Sequence, residues 1–140
     1  MAVNTKTEYA LRVLIELAEH GLLSAQKVCD TQKLPKKYIE HLLAMLKSAG
    51  IVQSAAGSQG GYSLTRKPEE ISFADILKAV EDSSFDSSCV PENGRHCLGN
   101  GCKLSLFFHE LNDKILDVLS NYSLADIHKY FIEGQKDESR

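Results

Sequence analysis

No stretch of this chain approaches the run of about 18 apolar residues that a membrane-spanning helix requires. A membrane protein is therefore not expected. The opening Met1-Ala2-Val3-Asn4 lacks the basic and apolar regions of a secretory signal, so the expected location is cytoplasmic. There is no glycine-rich phosphate loop, no nucleophile motif and no His-Glu metal-binding helix signature, and an enzyme is not expected either. Cysteine is sparse, with four in 140 residues. In a reducing compartment, and in a chain this apolar, they do not suggest a disulfide scaffold, which leaves free thiols or metal ligands. Net positive charge is also missing: the formal value of −3 argues at first against a nucleic-acid partner.

The charge is unevenly distributed. Residues 24–67 carry Lys27, Lys33, Lys36, Lys37, Lys47, Arg66 and Lys67 against only Asp30 and Glu40, a local +5 that leaves −8 for the rest. A basic middle third between acidic flanks fits either a solvated face or a phosphate-binding one. With 43% hydrophobic residues, the chain can bury one ordinary core and is too short for two large ones.

Apolar spacing predicts the elements. Tyr9, Ala10, Val13, Leu14 and Leu17 mark a first helix that His20-Gly21 stops. Ser24 is placed to cap a short second helix that turns Ala25, Val28 and Cys29 inward and ends in Asp30-Thr31-Gln32-Lys33. Pro35 suits the first turn of a third helix, with Ile39, Leu42, Leu43 and Leu46 as its buried stripe and Gly50 as its end. Ile51 to Ser54 and Tyr62 to Thr65 read as two strands around a Gly-rich tip. Ser72 caps a fourth helix to Glu81, with Asp75 at its third position.

From Ser83 to Cys102 there is no periodicity, only small and turn-forming residues and three cysteines. Such a stretch inside a compact unit points to function or to an external organiser. A long helix over Lys103–Leu119 follows, with Leu104, Phe108, Leu111, Ile115 and Val118 along one seam and Phe107, Leu116 and Leu119 widening it. That is more apolar surface than one packing partner requires, and it predicts a homodimer, with burial on the chain's own core as the alternative. Ser123 caps a brief closing helix through Ile127 and Tyr130, and the tail from Gln135 is expected to fray.

Two helices joined by a short polar turn and followed at once by a hairpin give the order of a winged helix-turn-helix. The second helix of the pair enters the major groove with its N-terminal residues nearest the base edges, so Lys36, Lys37, Tyr38, Glu40 and His41 are the candidates for contact with a double-stranded DNA operator. Lys36 and Lys37 suit phosphate or guanine. Glu40 suits cytosine N4, or else pairs with nearby lysines as an ordinary surface residue. In the wing, Ser58, Gln59 and Gly60 are the tip candidates, and Gly57, Gly60 and Gly61 allow close backbone approach.

Three runs carry a family resemblance: Thr7-Glu8-Tyr9-Ala10-Leu11-Arg12, then Leu46-Lys47-Ser48-Ala49-Gly50-Ile51-Val52, then Gly57-Ser58-Gln59-Gly60-Gly61-Tyr62-Ser63-Leu64. Over nearly its whole length the chain resembles the family of the iron–sulfur cluster regulator and the nitric-oxide-sensing repressor. The resemblance implies a dimeric winged-helix regulator, usually a repressor of iron–sulfur assembly, nitrosative-stress or iron-homeostasis genes, with long helices crossing between subunits. Ala56 stands where members often have a basic wing residue, and the cysteine spacing departs from the commoner near-equal intervals.

Cys89, Cys97 and Cys102, with seven and four residues between them, bring three thiolates into one segment, which suits a soft metal centre. The expected cofactor is an iron–sulfur cluster, [2Fe-2S] or [4Fe-4S]. The resemblance implies Glu8 as a fourth ligand, in some members from the partner subunit, with His109 and His96 as local rivals. Oxidation or nitrosylation of such a centre would move the dimer away from its DNA-binding geometry, with half-sites spaced roughly 34–36 Å apart. Structural zinc on three Cys and one His, a thiol switch, cysteines without metal, and a cluster carrier that does not touch DNA are the competing readings. The expected fold is thus mostly α with a small β-hairpin wing: a winged helix-turn-helix over residues 1–82, a cysteine-bearing cluster loop over 83–102, and a dimerisation helix with its tail over 103–140.

Overall fold

The structure is a computed structural model that describes residues 4–86 and 103–138. In chain order the elements are α1 (Thr5–His20), α2 (Ala25–Gln32), α3 (Lys36–Ser48), β1 (Val52–Ala55), β2 (Gly61–Leu64), a 3₁₀ turn (Pro68–Glu70), α4 (Phe73–Ala79), α5 (Ser105–Ser120) and α6 (Leu124–Glu138). The mostly helical fold with one hairpin is the architecture expected from the sequence. None of the helices among the described residues is long and apolar enough to cross a membrane.

α1 is the centre of the molecule. It begins a turn before its apolar stripe because the Asn4 side chain accepts the Thr7 N–H at 3.0 Å, and it ends at Gly21, whose φ of 80° suits glycine. Ala10, Val13, Leu14 and Leu17 are buried along it, against Val28 of α2, Ile39, Leu42, Leu43 and Leu46 of α3, and Ile76 of α4. Each such side chain contributes about 1.5–3 kcal/mol by leaving water. Cys29 belongs to this core. Burial, reinforced by the neighbouring Asp30, pushes its thiol pKa up, so it stays protonated and acts as a packing residue.

Caps fix the remaining boundaries. Ser24 accepts the Lys27 N–H and starts α2, while Lys33 in the left-handed conformation turns the chain into α3. Ser72 and Asp75 form a reciprocal capping box for α4. That helix stops at Ala79 rather than at Glu81, because Glu81 adopts φ 56° and carries the chain back so that the Asp82 N–H bonds the Leu77 carbonyl.

β1 and β2 pair antiparallel, with Val52 opposite Leu64 and Ala55 opposite Gly61. Both strands lie nearer the tip than the apolar pattern predicts, because Ile51 is drawn into the core at the end of α3, its N–H bonded to the Leu46 carbonyl.

α6 differs most from expectation. It is a 15-residue helix reaching Glu138, and the stretch from Gln135 to Glu138 is helical. Ser123 and Asp126 cap it reciprocally, at 2.9 and 3.1 Å, and good helix formers continue it. Its first turn is anchored. Leu124 is fully buried in the core, and its N–H bonds the Ile71 carbonyl, while the Phe73 N–H bonds the Tyr122 carbonyl.

Candidate nucleic-acid interface and sensing site

The buried stripe of α3 decides what its other face presents. With Ile39, Leu42, Leu43 and Leu46 turned inward, Lys36, Lys37, Glu40, His41, Ala44 and Lys47 are exposed together. No side chain caps the start of α3, so its first N–H groups share that surface with the two lysine ammoniums. This end of the helix is suited to an anion. Tyr38 is placed differently from its neighbours. It is half-buried, and its ring meets Tyr9 of α1 edge to face with centroids 5.6 Å apart. It braces α3 against α1.

The wing projects beside this face. Ser58 and Gln59 are exposed at its tip, and Gly57 holds φ 103°. Gly60 and Gly61 are required by close backbone packing. A Cβ on Gly60 would lie 2.2 Å from the Ala55 carbonyl oxygen, and one on Gly61 would lie 2.5 Å from that of Leu23. Leu23 adds a bridge to the hairpin through paired hydrogen bonds with Tyr62, of 3.0 and 2.7 Å, which joins the wing to the start of the α2–α3 pair. The Lys47 ammonium donates to Ser54 Oγ at 2.9 Å and links α3 to β1. Arg66 donates to the Gly50 and Glu70 carbonyls and pairs with Asp75 at 3.3 Å. Its charge is used within the fold, so the free basic surface is supplied chiefly by lysines.

Of the expected cluster ligands, Cys89, Cys97, Cys102 and the rival His96 lie outside the described residues. Glu8 is half-exposed in the first turn of α1, with its carboxylate 2.7 Å from the Arg12 guanidinium. That guanidinium also lies over the Tyr9 ring, 5.6 Å from its centroid. His109 is exposed on α5. Arg12 is legible in the sequence as an i,i+4 partner of Glu8.

A second residue that sequence reasoning missed is Asp82, 75 positions from its partner Thr7. Its carboxylate accepts the Thr7 hydroxyl at 2.5 Å, the Asn4 N–H at 3.2 Å, and the Ser84 N–H and hydroxyl at 2.9 and 2.5 Å. Partial burial alone would raise its pKa. The bonds from Ser84, Thr7 and Asn4 together outweigh that and hold it at about 2. Asp82 thus fastens the chain leaving α4 to the helix start that carries Glu8.

α5 leaves a broad apolar surface open. Among its residues only Leu119 is buried, while Leu106 is 80% exposed, Phe107 57% and Val118 56%. Tyr130, Phe131 and Ile132 of α6 are exposed as well.

Comparison with known proteins agrees with this geometry. The sequence model of a family described as Rrf2, iron-dependent transcriptional regulator, matches residues 3–130. The chain is 29% identical over 131 residues to the HTH-type transcriptional regulator NsrR of Shouchella clausii, covering 91% of this chain and 88% of that protein. Among solved structures it is similar to CymR, the global cysteine regulator of B. subtilis, with 31% identity, a TM-score of 0.69, and coverage of 91% of this chain and 95% of that one. It is also similar to T. potens IscR, with 29% identity, a TM-score of 0.69, and coverage of 95% and 90%. These relatives are regulators rather than enzymes. The lysine-faced helix, its wing and these matches together show that the chain belongs to the Rrf2 family of helix-turn-helix, DNA-binding transcription regulators.

Proposed function

We propose that this regulator binds its operator as a homodimer, reading the major groove with α3, and that its affinity is set by an iron–sulfur cluster on Cys89, Cys97, Cys102 and Glu8. The observation that carries the DNA part is the exposed face of α3, where Lys36, Lys37, Glu40 and His41 stand together beside the wing tip residues Ser58 and Gln59. Lysine ammoniums bind phosphate and set register, while Glu40 is the specificity residue, accepting from cytosine. The apolar face of α5 supports the homodimer, since an exposed surface of this kind is covered in a stable assembly. The organisation into a DNA-binding unit over 1–82, a cluster-bearing segment over 83–102 and a dimerisation region over 103–140 belongs to the same proposal, as does a cytoplasmic location.

The cluster reading is supported by the donor chemistry of three cysteines in one segment and by relatives named NsrR and IscR. When bound, such a group supplies redox and nitric-oxide reactivity. On the protein side, Glu8 is available at the surface of α1, with one carboxylate oxygen on Arg12. The Arg12 guanidinium lies over Tyr9, whose ring touches Tyr38 at the start of α3.

A second reading, thiol-based regulation without metal, is favoured by the Glu8–Arg12 pair, which gives one carboxylate oxygen a protein partner, and by the likeness to the cysteine regulator CymR. The test is iron, zinc and acid-labile sulfide per chain in protein isolated without oxygen, followed by operator affinity of loaded and stripped protein at fixed salt. Matching iron and sulfide with unequal affinities support the cluster reading. Absence of iron and sulfide, or equal affinities, overturns it while leaving DNA binding intact.

A further inference from the structure

Helix α6 passes from half-buried to exposed just after His128. Its first turn is held by Leu124 and Ile127 on the core. From Lys129 to Glu138 every residue is exposed, so His128 is the last half-buried position on the helix. His128 Nε2 lies 2.9 Å from Oε1 of Glu19, at the far end of α1 from Glu8 and 109 positions away in sequence. The other oxygen of Glu19 faces His20 Nε2 at 3.8 Å. That imidazole also lies 4.0 Å from Glu16, a buried carboxylate whose free oxygen takes the Gln32 side-chain N–H at 2.7 Å. A continuous polar ladder therefore runs from α2 through the C-terminal end of α1 to α6.

We propose that the Glu19–His128 pair is a pH-operated latch that fixes the direction in which α6 projects its exposed Tyr130, Phe131 and Ile132. Histidine changes charge between about pH 5 and 8. When the His128 ring is protonated, its contact with Glu19 is a hydrogen-bonded ion pair between two helices. When the ring is neutral, a single ordinary hydrogen bond remains.

The charge of the ring in its contact with Glu19 sets the sign. From α1 the groups linked to the pair are Glu19 itself, His20 beside it and Glu16 beside His20, and Glu16 is reached from α2 by the neutral Gln32. The 3₁₀ turn packed on the start of α6 carries Glu69 and Glu70, the latter bonded to the Lys67 N–H. On α6 itself Asp126 is taken up by its Ser123 cap, and Lys129 and Glu133 are exposed. Of these groups Glu19 is the one in contact with the ring, and the ion pair with it forms only with the cationic ring. Acidification tightens the latch, and a rise in pH through the imidazole range loosens it.

The test is amide hydrogen exchange of the full chain at pH 6 and pH 8, corrected for intrinsic exchange and read over the α6 amides from His128 to Gly134. A partly exposed pair of this kind corresponds to about two- to fivefold greater protection at pH 6 in the unaltered protein. His128→Gln and Glu19→Gln should abolish that difference. His20→Gln should preserve most of it, and His128→Lys should keep α6 protected at both pH values. The proposal is overturned if the unaltered protein shows no pH difference in α6, or if His128→Gln or Glu19→Gln retains it.

Discussion

The Asp82 carboxylate offers the sharpest quantitative check, because its contribution can be worked from its bonds. Replacing it by Asn keeps the shape and one acceptor oxygen but removes the charge that the Thr7 hydroxyl, the Asn4 N–H and the two Ser84 donors now stabilise. The folded pKa of about 2, against an ordinary 3.8, means the fold favours the ionised form. At 1.36 kcal/mol per unit, discounted for partial exposure, the charge contributes about 2 kcal/mol at pH 7. The sign follows from linkage: a depressed carboxyl gives stability that is fully present above about pH 4 and lost as pH falls through about 2. Asp82→Asn should therefore lower stability at pH 7 by about 2 kcal/mol, a fall of roughly 6 °C in Tm for a chain of this size. By the same linkage the gap should shrink to about half at pH 3. Urea titrations at the two pH values measure both quantities. Thr7→Val, which removes one donor, should cost about 1 kcal/mol and should add little to Asp82→Asn, since the two changes delete the same bond. A variant within about 0.5 kcal/mol of the parent at pH 7, or a gap that does not narrow on acidification, would refute the account.

Three further outcomes are expected. Lys36→Ala with Lys37→Ala should weaken operator binding and reduce the slope of log affinity against log salt by about 2, measured by fluorescence anisotropy at several salt concentrations, while Glu40→Ala should relax discrimination at one base pair by about 1–3 kcal/mol with little change in salt slope. Gly61→Ala places a Cβ against the Leu23 carbonyl and should break the bridge to Tyr62, at a cost of about 1–3 kcal/mol by thermal melting, and should weaken DNA binding with it. Leu106→Glu with Phe107→Glu should convert a dimer to monomer in sedimentation equilibrium without altering the circular dichroism of the winged unit, since both side chains are exposed in the single chain.

Most of the winged unit was legible in the sequence, for local reasons. Ser24 and Ser72 announce their helices because a cap needs only the next three residues, and the stripe of Ile39, Leu42, Leu43 and Leu46 fixes both the buried and the exposed faces of α3. What escaped depends on partners distant in sequence. Asp82 reads as one acid in a turn until folding sets it beside Thr7, and Arg66 counts toward a basic face until Gly50, Glu70 and Asp75 engage it. Tyr38 sits among DNA candidates by position, yet its ring is turned to Tyr9. Gly60, read as a residue for backbone approach to DNA, is already demanded by the Ala55 carbonyl inside the wing. The length of α6 was underestimated because its second half has no apolar stripe to mark it, only helix-forming polar residues.

The arrangement makes α1 the element through which the other parts meet. Its first turn carries Glu8 and is fastened by Asp82 to the chain leaving α4. Beside Glu8, Tyr9 carries the Arg12 guanidinium over its ring and reaches Tyr38 at the start of α3, and the last turn of α1 holds α6 through Glu19 and His128. Between these contacts the helix is buried in a close-packed core that transmits displacement rather than absorbing it. A change in what Glu8 binds and a change in how α6 is held therefore act on opposite ends of one rigid body, and α3 is braced against the same body. If both signals operate, they should not be independent. Protein in which Glu8 is free of Arg12, as in Arg12→Ala, should show an altered α6 exchange response to pH, and an unchanged response would mean that α1 does not carry displacement along its length.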